Sequence, residues 1–300
     1  MPFDLIEKLD SYIKNHSNKQ LVAMPSILFI ISISIIASTF VITGTPLSLG
    51  MEFEGGTMIT IIHDSADEIL DTYSEKYPIE DVRETGDSVI IMFGPMEREL
   101  RTKIIEYFSG AYQVKEIKDI GAEFGRDLQF QALKAVSISF IGMGVIVLLI
   151  FKSIVPSGTV VLAALSNISI AAAFMNVFGI DLTLGTVAAL LMLIGYSVDS
   201  NILLANRLLK RRGDVEEKIS KAMHTGVIMT TTTLAALFVM FIISSYSHLI
   251  IPGLPKMALF SDISVVLIFG LVADIINTWM LNTGILRWYV QKPTTKRRRA

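Results

Sequence analysis

Apolar residues in this chain are gathered into long runs, and the runs set the first expectation. A helix crossing a hydrocarbon layer about 30 Å thick, at about 1.5 Å per residue, needs roughly 20 mostly apolar residues. Six stretches are read as spans: Leu21–Ile42, Val136–Phe151, Val160–Phe178, Leu184–Ala205, Gly226–Ile243 and Ile263–Leu286. The first has the polar, Lys-containing start of a signal peptide. It is long, however, lacks a small-x-small cleavage pattern, and is followed by five more spans, so it is read as an uncleaved helix. The expected organisation is an N-terminal segment 1–20, a first span 21–43, an inserted domain 44–130, spans two to six within 131–288, and a tail 289–300.

Between the first and second runs the pattern changes to short elements. Thr57–His63 is rich in β-branched residues and predicts a strand. Ser65–Tyr77 opens with a Ser cap followed by Asp67 and Glu68 and predicts a helix. Ile79–Thr85 and Ser88–Phe93 flank Gly86-Asp87 and predict a hairpin. Pro95–Phe108 predicts a second helix with Pro in its first turn, and Tyr112–Ile117 a last strand. The order β-α-β-β-α-β is the ferredoxin-like split motif. The predicted fold class is thus an α-helical membrane protein with six transmembrane helices and an inserted α+β ferredoxin-like domain.

Composition sharpens this picture. The chain is 52% hydrophobic and 18% charged, below the quarter or so of charged residues usual in soluble domains. Its net charge of −2 hides a strong polarisation: residues 45–129 hold eighteen Asp/Glu against eight Lys/Arg. Basic residues collect elsewhere. Lys8, Lys14 and Lys19 precede span one, Arg207, Lys210, Arg211, Arg212, Lys218 and Lys221 follow span four, and the tail carries Arg287, Lys292, Lys296, Arg297, Arg298 and Arg299. The short connection at Gly179–Asp181 has none, and Ser245–Ser261 has only Lys256. By the positive-inside rule both termini are expected in the cytoplasm of a multi-pass protein of the cytoplasmic membrane, with domain 44–130 outside. The basic tail reads as an anionic-lipid anchor, so the bilayer is an expected partner and nucleic acid is not.

The absence of cysteine excludes disulfides, thiolate metal sites, iron–sulfur clusters and a cysteine nucleophile. No Gly-Lys-Ser/Thr phosphate-binding motif occurs, His63 has no second histidine near it in sequence, and no cofactor or metal is expected. The chemistry sits in the spans, where ionisable residues are costly and point to function. Asp199 lies on span four, about 12 Å along the helix from Arg207, and Gly195, Asp199, Ile202 and Asn206 share one face. Asn201 lies on the same span. On span six Gly270, Asp274, Asn277 and Leu281 share a face. Two glycine-plus-aspartate faces predict close-packed helices around a polar interior. Asn167 on span three, the threonines of span five (Thr231 and Thr232 among them) and His224 at its end are the expected polar partners. Each aspartate has two readings: a hydrogen-bonded tie between helices, or a carboxylate that exchanges protons. An intramembrane aspartyl protease is disfavoured because neither aspartate has a Gly-x-Gly-Asp context.

Three segments carry a resemblance. Gly50-Met51-Glu52-Phe53-Glu54-Gly55-Gly56-Thr57 after span one, Gly121-Ala122-Glu123-Phe124-Gly125-Arg126-Asp127-Leu128 before span two, and Ile194-Gly195-Tyr196-Ser197-Val198-Asp199-Ser200-Asn201 in span four resemble the motifs of the SecD/SecF protein-export family. Six spans and one small external domain resemble the family's smaller subunit type, and the Tyr-Ser before Val-Asp resembles its archaeal branch. The resemblance implies half of a pseudo-symmetric unit like the RND transporter superfamily. It also implies no enzymatic activity, but an accessory role in polypeptide export. Its partners would be a SecD subunit, the Sec channel (SecY complex) and the translocating polypeptide, with coupling to the proton gradient through Asp199. A small-molecule transporter of the same superfamily and a non-energised channel scaffold are the alternatives. Bacterial members carry an Arg leading into the fifth span's Thr motif. Here the stretch reads Ala222-Met223-His224-Thr225, so a relay of that type needs His224 in its place.

Overall fold

The computed structural model describes residues 2–63, 65–85, 87–211, 213–250 and 257–291. Gly86, Arg212, Lys256 and the tail from Lys292 lie outside the described residues.

Six helices are long and apolar enough to cross a membrane: α2 (Asn18–Thr43), α6 (Ala122–Phe151), α7 (Ile154–Phe178), α8 (Leu184–Lys210), α9 (Val215–Ile250) and the run of α10 (Ala258–Ile276), a π-helical turn (Asn277–Asn282) and α11 (Thr283–Gln291). All six overlap the expected spans and extend past most of them, because polar residues at their ends continue the helix. α2 starts at a capping box, in which Ser17 accepts from the Gln20 amide and Gln20 accepts from the Ser17 amide. It stops at Gly44, whose left-handed φ of 80° ends the helix. α10 packs against α7, α8 and α9, whereas α6 lies at the periphery. The outer face of α6 (Ile138, Ile141, Leu149) is exposed, as a lipid-facing surface requires.

Two helices escaped the sequence reading, the four-residue Met51–Glu54 and a longer one at the N-terminus. Pro2–Asn15 forms α1, and Ile6 and Ile13 are buried against Leu204, Leu208, Met223 and Trp279 at the ends of α8, α9 and the π turn. Its apolar positions at Ile6, Leu9 and Ile13 follow the i, i+3, i+7 spacing of an amphipathic helix, but the helix is short beside the apolar run that follows.

The inserted segment folds as α3 (Met51–Glu54), β1 (Gly56–Ile62), α4 (Ala66–Tyr73), β2 (Ile79–Thr85), β3 (Ser88–Phe93), α5 (Arg98–Ala111) and β4 (Val114–Ile120). The sheet order is β2-β3-β1-β4, antiparallel throughout, with Thr57 opposite Phe93 and Ile62 opposite Ser88. Alternation sends Ile59, Ile61, Val89, Ile91 and Phe93 to one face, where Ile69 and Tyr73 of α4 and Ile104 and Phe108 of α5 cover them. Several boundaries differ from expectation, among them β4 at Val114–Ile120 rather than Tyr112–Ile117 and the end of α5 at Ala111 rather than Phe108. α4 ends at Tyr73 rather than Tyr77, and α5 begins at Arg98 with Glu97 as its N-cap, so Pro95 sits in the preceding loop.

The glycine-rich motif after α2 forms the joint between this domain and the helices. Gly50 donates to the Leu182 carbonyl at 2.9 Å, and Leu182 donates back to Ser48 at 2.7 Å. Glu52 accepts from the Leu184 amide at 2.6 Å, placing a carboxylate on the N-terminus of α8. Phe53 is fully buried, and its carbonyl accepts from Gln129 of α6 at 2.8 Å. Gly125 faces that same carbonyl so closely that a Cβ would lie 2.5 Å from it. Gly55 has φ +86°, and a Cβ there would meet Ala122; Gly56 has φ +145°, and a Cβ there would sit 2.4 Å from the Phe93 carbonyl. Thr57 then donates to Asp119, which pairs with Arg101. The first two motifs are therefore two halves of one clasp.

Acids crowd this joint. Burial raises the carboxyl pKa of Glu54, with Asp181 adding to it, and burial raises Glu80 with help from Glu54 and Asp181. Asp181 is raised by burial, opposed by Arg83 and assisted by Asp81.

Two predictions follow from the joint. Gly125→Ala should lower the unfolding midpoint in nanodiscs, at an overpacking cost of about 1–3 kcal/mol. Gly121→Ala should leave it within about 0.5 kcal/mol, since a Cβ at Gly121 meets nothing within 4 Å. The raised acids bind protons more tightly folded than unfolded, so they cost stability as pH rises from the ordinary carboxylate range through their raised values. Glu80→Gln should therefore gain stability over the native chain at neutral pH, and the gain should shrink as the pH is lowered toward ~4, which paired melting curves across pH would show.

Candidate functional site in the membrane core

The bundle's interior holds a connected set of polar side chains from three helices. Asp274 of α10 is 1% exposed. Its Oδ1 accepts from Asn167 Nδ2 of α7 at 2.7 Å and from Thr278 Oγ1 at 3.2 Å. Asn167 Nδ2 also donates to Ser197 Oγ of α8 at 2.8 Å, and its Oδ1 accepts from Asn277 Nδ2 at 2.6 Å. Asn277 reaches Ser166 as well, at 2.9 Å. Asn201 of α8 donates to the Ser197 carbonyl at 2.7 Å and accepts from Asn282 at 2.5 Å and Thr278 at 3.3 Å. Asn167, Ser197, Asn201, Asn277, Thr278 and Asn282 are all fully buried.

Local winding builds this centre. Asn277–Asn282 forms a π turn, and Thr283 Oγ1 donates to the Thr278 carbonyl five residues back at 3.0 Å. π winding aligns residues five apart, so Asn277 and Asn282 both turn inward. Gly270 lets Leu193 come close, since a Cβ there would lie 2.4 Å from the Leu193 side chain. The centre holds no cationic partner for Asp274 among the described residues. Its Oδ2, and the Oδ1 atoms of Asn277 and Asn282, make no hydrogen bond there. The arrangement can hold a proton on the carboxyl, or present a set of acceptor oxygens in an otherwise apolar interior.

The structure separates residues that the sequence grouped together. Gly195, Asp199 and Asn206 lie on the exposed side of α8, with Tyr196 40% exposed beside them. The expectation that this glycine-plus-aspartate face packs inward is corrected. The packed face of α8 runs instead through Leu193, Ser197, Asn201, Leu204 and Leu208, set by the approach of α7 and α10. On span six the expected face does pack: Gly270, Asp274, Asn277 and Leu281 are all buried. The threonines of α9 do not reach either carboxylate by a hydrogen bond. Thr230 donates to Gly226, and Thr232 and Thr233 donate to Met229, so their hydroxyls are spent on their own helix. Thr231 Oγ1 is buried without a hydrogen-bond partner among the described residues. His224 is exposed at the cytoplasm-expected end of α9.

Sequence reasoning missed Ser166, Thr278, Asn282 and Arg287. For Asn282 the signal was its five-residue spacing from Asn277 inside an apolar run, a π rather than an α period, whereas Ser166 and Thr278 each stand beside an asparagine, Asn167 and Asn277, that the sequence had singled out. Arg287 was counted with the tail, yet it is 6% exposed. Its guanidinium donates to the Ile13 and His16 carbonyls at 3.0 and 2.7 Å and to the Asn18 side chain, and it pairs with Glu216 at 3.4 Å. It thereby ties α1, α2 and α9 to the end of α11.

Six apolar helices around a buried polar centre, with a folded sheet domain inserted after the first, define a polytopic membrane protein. The family model described as "Protein export membrane protein SecD/SecF, C-terminal" matches residues 100–292. Protein-export membrane protein SecF of Methanolacinia petrolearia is 44% identical over 93% of this chain and 96% of its own length. SecF of Haloferax volcanii is 41% identical over 94% and 96%, and SecF of Pyrococcus furiosus 42% over 91% and 92%. The chain therefore belongs to the SecF branch of the SecD/SecF family of protein-export membrane proteins. In fold it is similar to the crystal structure of SecDF, a translocon-associated membrane protein from Thermus thermophilus, with a TM-score of 0.68, 17% identity and 91% coverage of this chain. It spans 38% of that longer chain.

The network makes a prediction of its own. Asn167→Ala strips a donor from Asp274 and an acceptor from Asn277, and should cost about 1–3 kcal/mol for the buried groups left unpaired. Asn206→Ala, on the open face, should stay within about 0.5 kcal/mol. Unfolding midpoints of both variants in nanodiscs check the contrast.

Proposed function

We propose that this chain is an accessory subunit of Sec-dependent protein export that works paired with a SecD-type subunit and draws on the proton gradient. The reading is carried by one observation: Asp199 is exposed on the surface of the isolated bundle. A carboxylate at membrane depth costs about 2.5–3.5 kcal/mol against lipid. A second helical bundle or a water-filled path against this side of α8 removes that cost. The fold likeness to SecDF, in which this chain's length accounts for 38% of the whole, supports a partner of that kind.

The remaining parts fit the same reading. The β-α-β-β-α-β order with strands β2-β3-β1-β4 is that of a ferredoxin-like domain. With the basic loop between α8 and α9 in the cytoplasm, this acidic domain lies outside, where it meets the emerging polypeptide. Asp199 would carry the exchangeable proton at the partner-facing side, and Asp274 would hold the bundle's interior together. The subunit forms and breaks no covalent bond in this scheme; it transmits movement to the external domain through the clasp at Gly50–Thr57.

Asp199→Asn keeps the shape and removes the charge. It should reduce export severalfold in cells while co-purification with the SecD-type subunit stays at the native level. Native export at native abundance would sink proton coupling through Asp199 and leave a non-energised scaffold. Loss of co-purification would mean instead that the carboxylate serves assembly.

A further inference from the structure

At the ends of α8 and α9, on the far side of the bundle from the sheet domain, a cavity of about 170 Å³ is lined by Arg207, Arg211, Gly213, Glu217, Lys218 and Lys221. We propose that this cavity is a binding site for a phosphate-ester anion, carried on a lipid headgroup or free in solution. Four cations and one carboxylate line a single concavity, and among the described residues only Lys221 has an ion-pair partner, Glu217 at 2.5 Å. That pair is exposed on both sides, where water screens it and little is gained. The other three cations repel one another across a small space, and an anion between them relieves the repulsion.

The site is built rather than a spray of surface charge. Arg207 is partly buried and lines the cavity, and its Nη2 donates to Thr225 Oγ1 of the neighbouring helix at 3.0 Å, which fixes the guanidinium. A planar guanidinium fork matches phosphate oxygens in pairs. Gly213, with φ +125°, turns the chain between the helices, and the stem of Lys218 lies over that turn, with Cε 4.0 Å from where a Cβ would stand. The amides opening α9 are already taken: Glu216 and Glu217 donate to Asp214 at 3.1 and 3.3 Å. The anion is therefore held by side chains, not by a helix end. The volume equals that of several waters at ~30 Å³ each, enough for a phosphate group with part of its ester.

Position favours a headgroup as the source. The apolar span on α8 ends at Ala205, and Asn206, Arg207, Lys210 and Arg211 follow within six residues, so the cavity opens at the depth where lipid phosphates lie. Basic pockets between spanning helices are known receptors for phosphorylated headgroups.

The test uses the full chain reconstituted in phosphatidylcholine nanodiscs with and without phosphatidylglycerol, and in detergent with inorganic phosphate or chloride at equal ionic strength. Native mass spectrometry reads retained lipid, and melting curves read stabilisation. The native chain should retain phosphatidylglycerol over phosphatidylcholine, and the double variant Arg211→Gln/Lys218→Gln should lose about fivefold of that preference per charge removed. Lys8→Gln/Lys19→Gln, basic residues outside the cavity, should keep it. Phosphate-specific stabilisation of the native chain, absent in the cavity variant, would assign the site to free phosphate instead. Equal retention by all three proteins with no phosphate effect would overturn the proposal, as would equal loss in both double variants.

Discussion

The hydrocarbon of a bilayer offers no hydrogen bonds, so a polar group on a spanning helix is costly unless another group answers it. The centre around Asn167 and Asp274 is organised by this constraint. A single carboxamide, Asn167, serves Asp274, Ser197 and Asn277 at once, and so links α7, α8 and the α10 run. The cost of an unpaired amide in hydrocarbon makes the arrangement specific: sliding any one helix by a turn would break several bonds together. The π turn at Asn277–Asn282 belongs to the same logic, since an α-helical register would carry Asn282 away from Asn201.

The same rule, applied at the ends of the bundle, explains how the soluble domain is attached. The clasp of Gly50, Glu52, Phe53 and Gly125 ties the chain leaving α2 to the turn before α8 through backbone hydrogen bonds and the Glu52 carboxylate, and to α6 through the Gln129 side chain on the Phe53 carbonyl. Backbone bonds of this kind are rigid, and glycine is needed where two main chains pass within a Cβ's radius. At the opposite end Arg287 does the equivalent work for α1, gathering two carbonyls, an amide oxygen and a carboxylate in one nearly buried position. The sheet domain is thus joined directly to α6 and α8, the latter being the helix that carries both Ser197 inside and Asp199 outside.

Charge is sorted along the membrane normal to match. Acid gathers in the inserted domain and at its joint with the bundle, where Glu54, Glu80 and Asp181 are each raised by burial. Cations gather at the other end, on the loop between α8 and α9. Between them only a few ionisable groups remain, and they differ in kind: Asp274 is buried and hydrogen-bonded through Oδ1 to Asn167 and Thr278, whereas Asp199 is exposed on the surface of α8.

Much of this was legible from one dimension. The apolar runs fall on the six helices, and β1, β2 and β3 lie within a residue of the strands read from β-branched alternation, because pleat and helix periods are local. The clasp glycines stood out through their resemblance to the motifs of the SecD/SecF family. Four features needed the tertiary structure. α5 starts at Arg98 instead of Pro95, α1 packs as a helix only because the ends of α8 and α9 offer it a surface, the polar residues of span six wind as π, and Asp199 and Asp274 part company. A sequence shows that a residue sits at membrane depth and which neighbours share its helical face; which face turns inward depends on helices far away in the chain. For α8 that choice was made by Asn167 on α7 and Gly270 on α10, and it put Ser197 and Asn201 inside and Asp199 out.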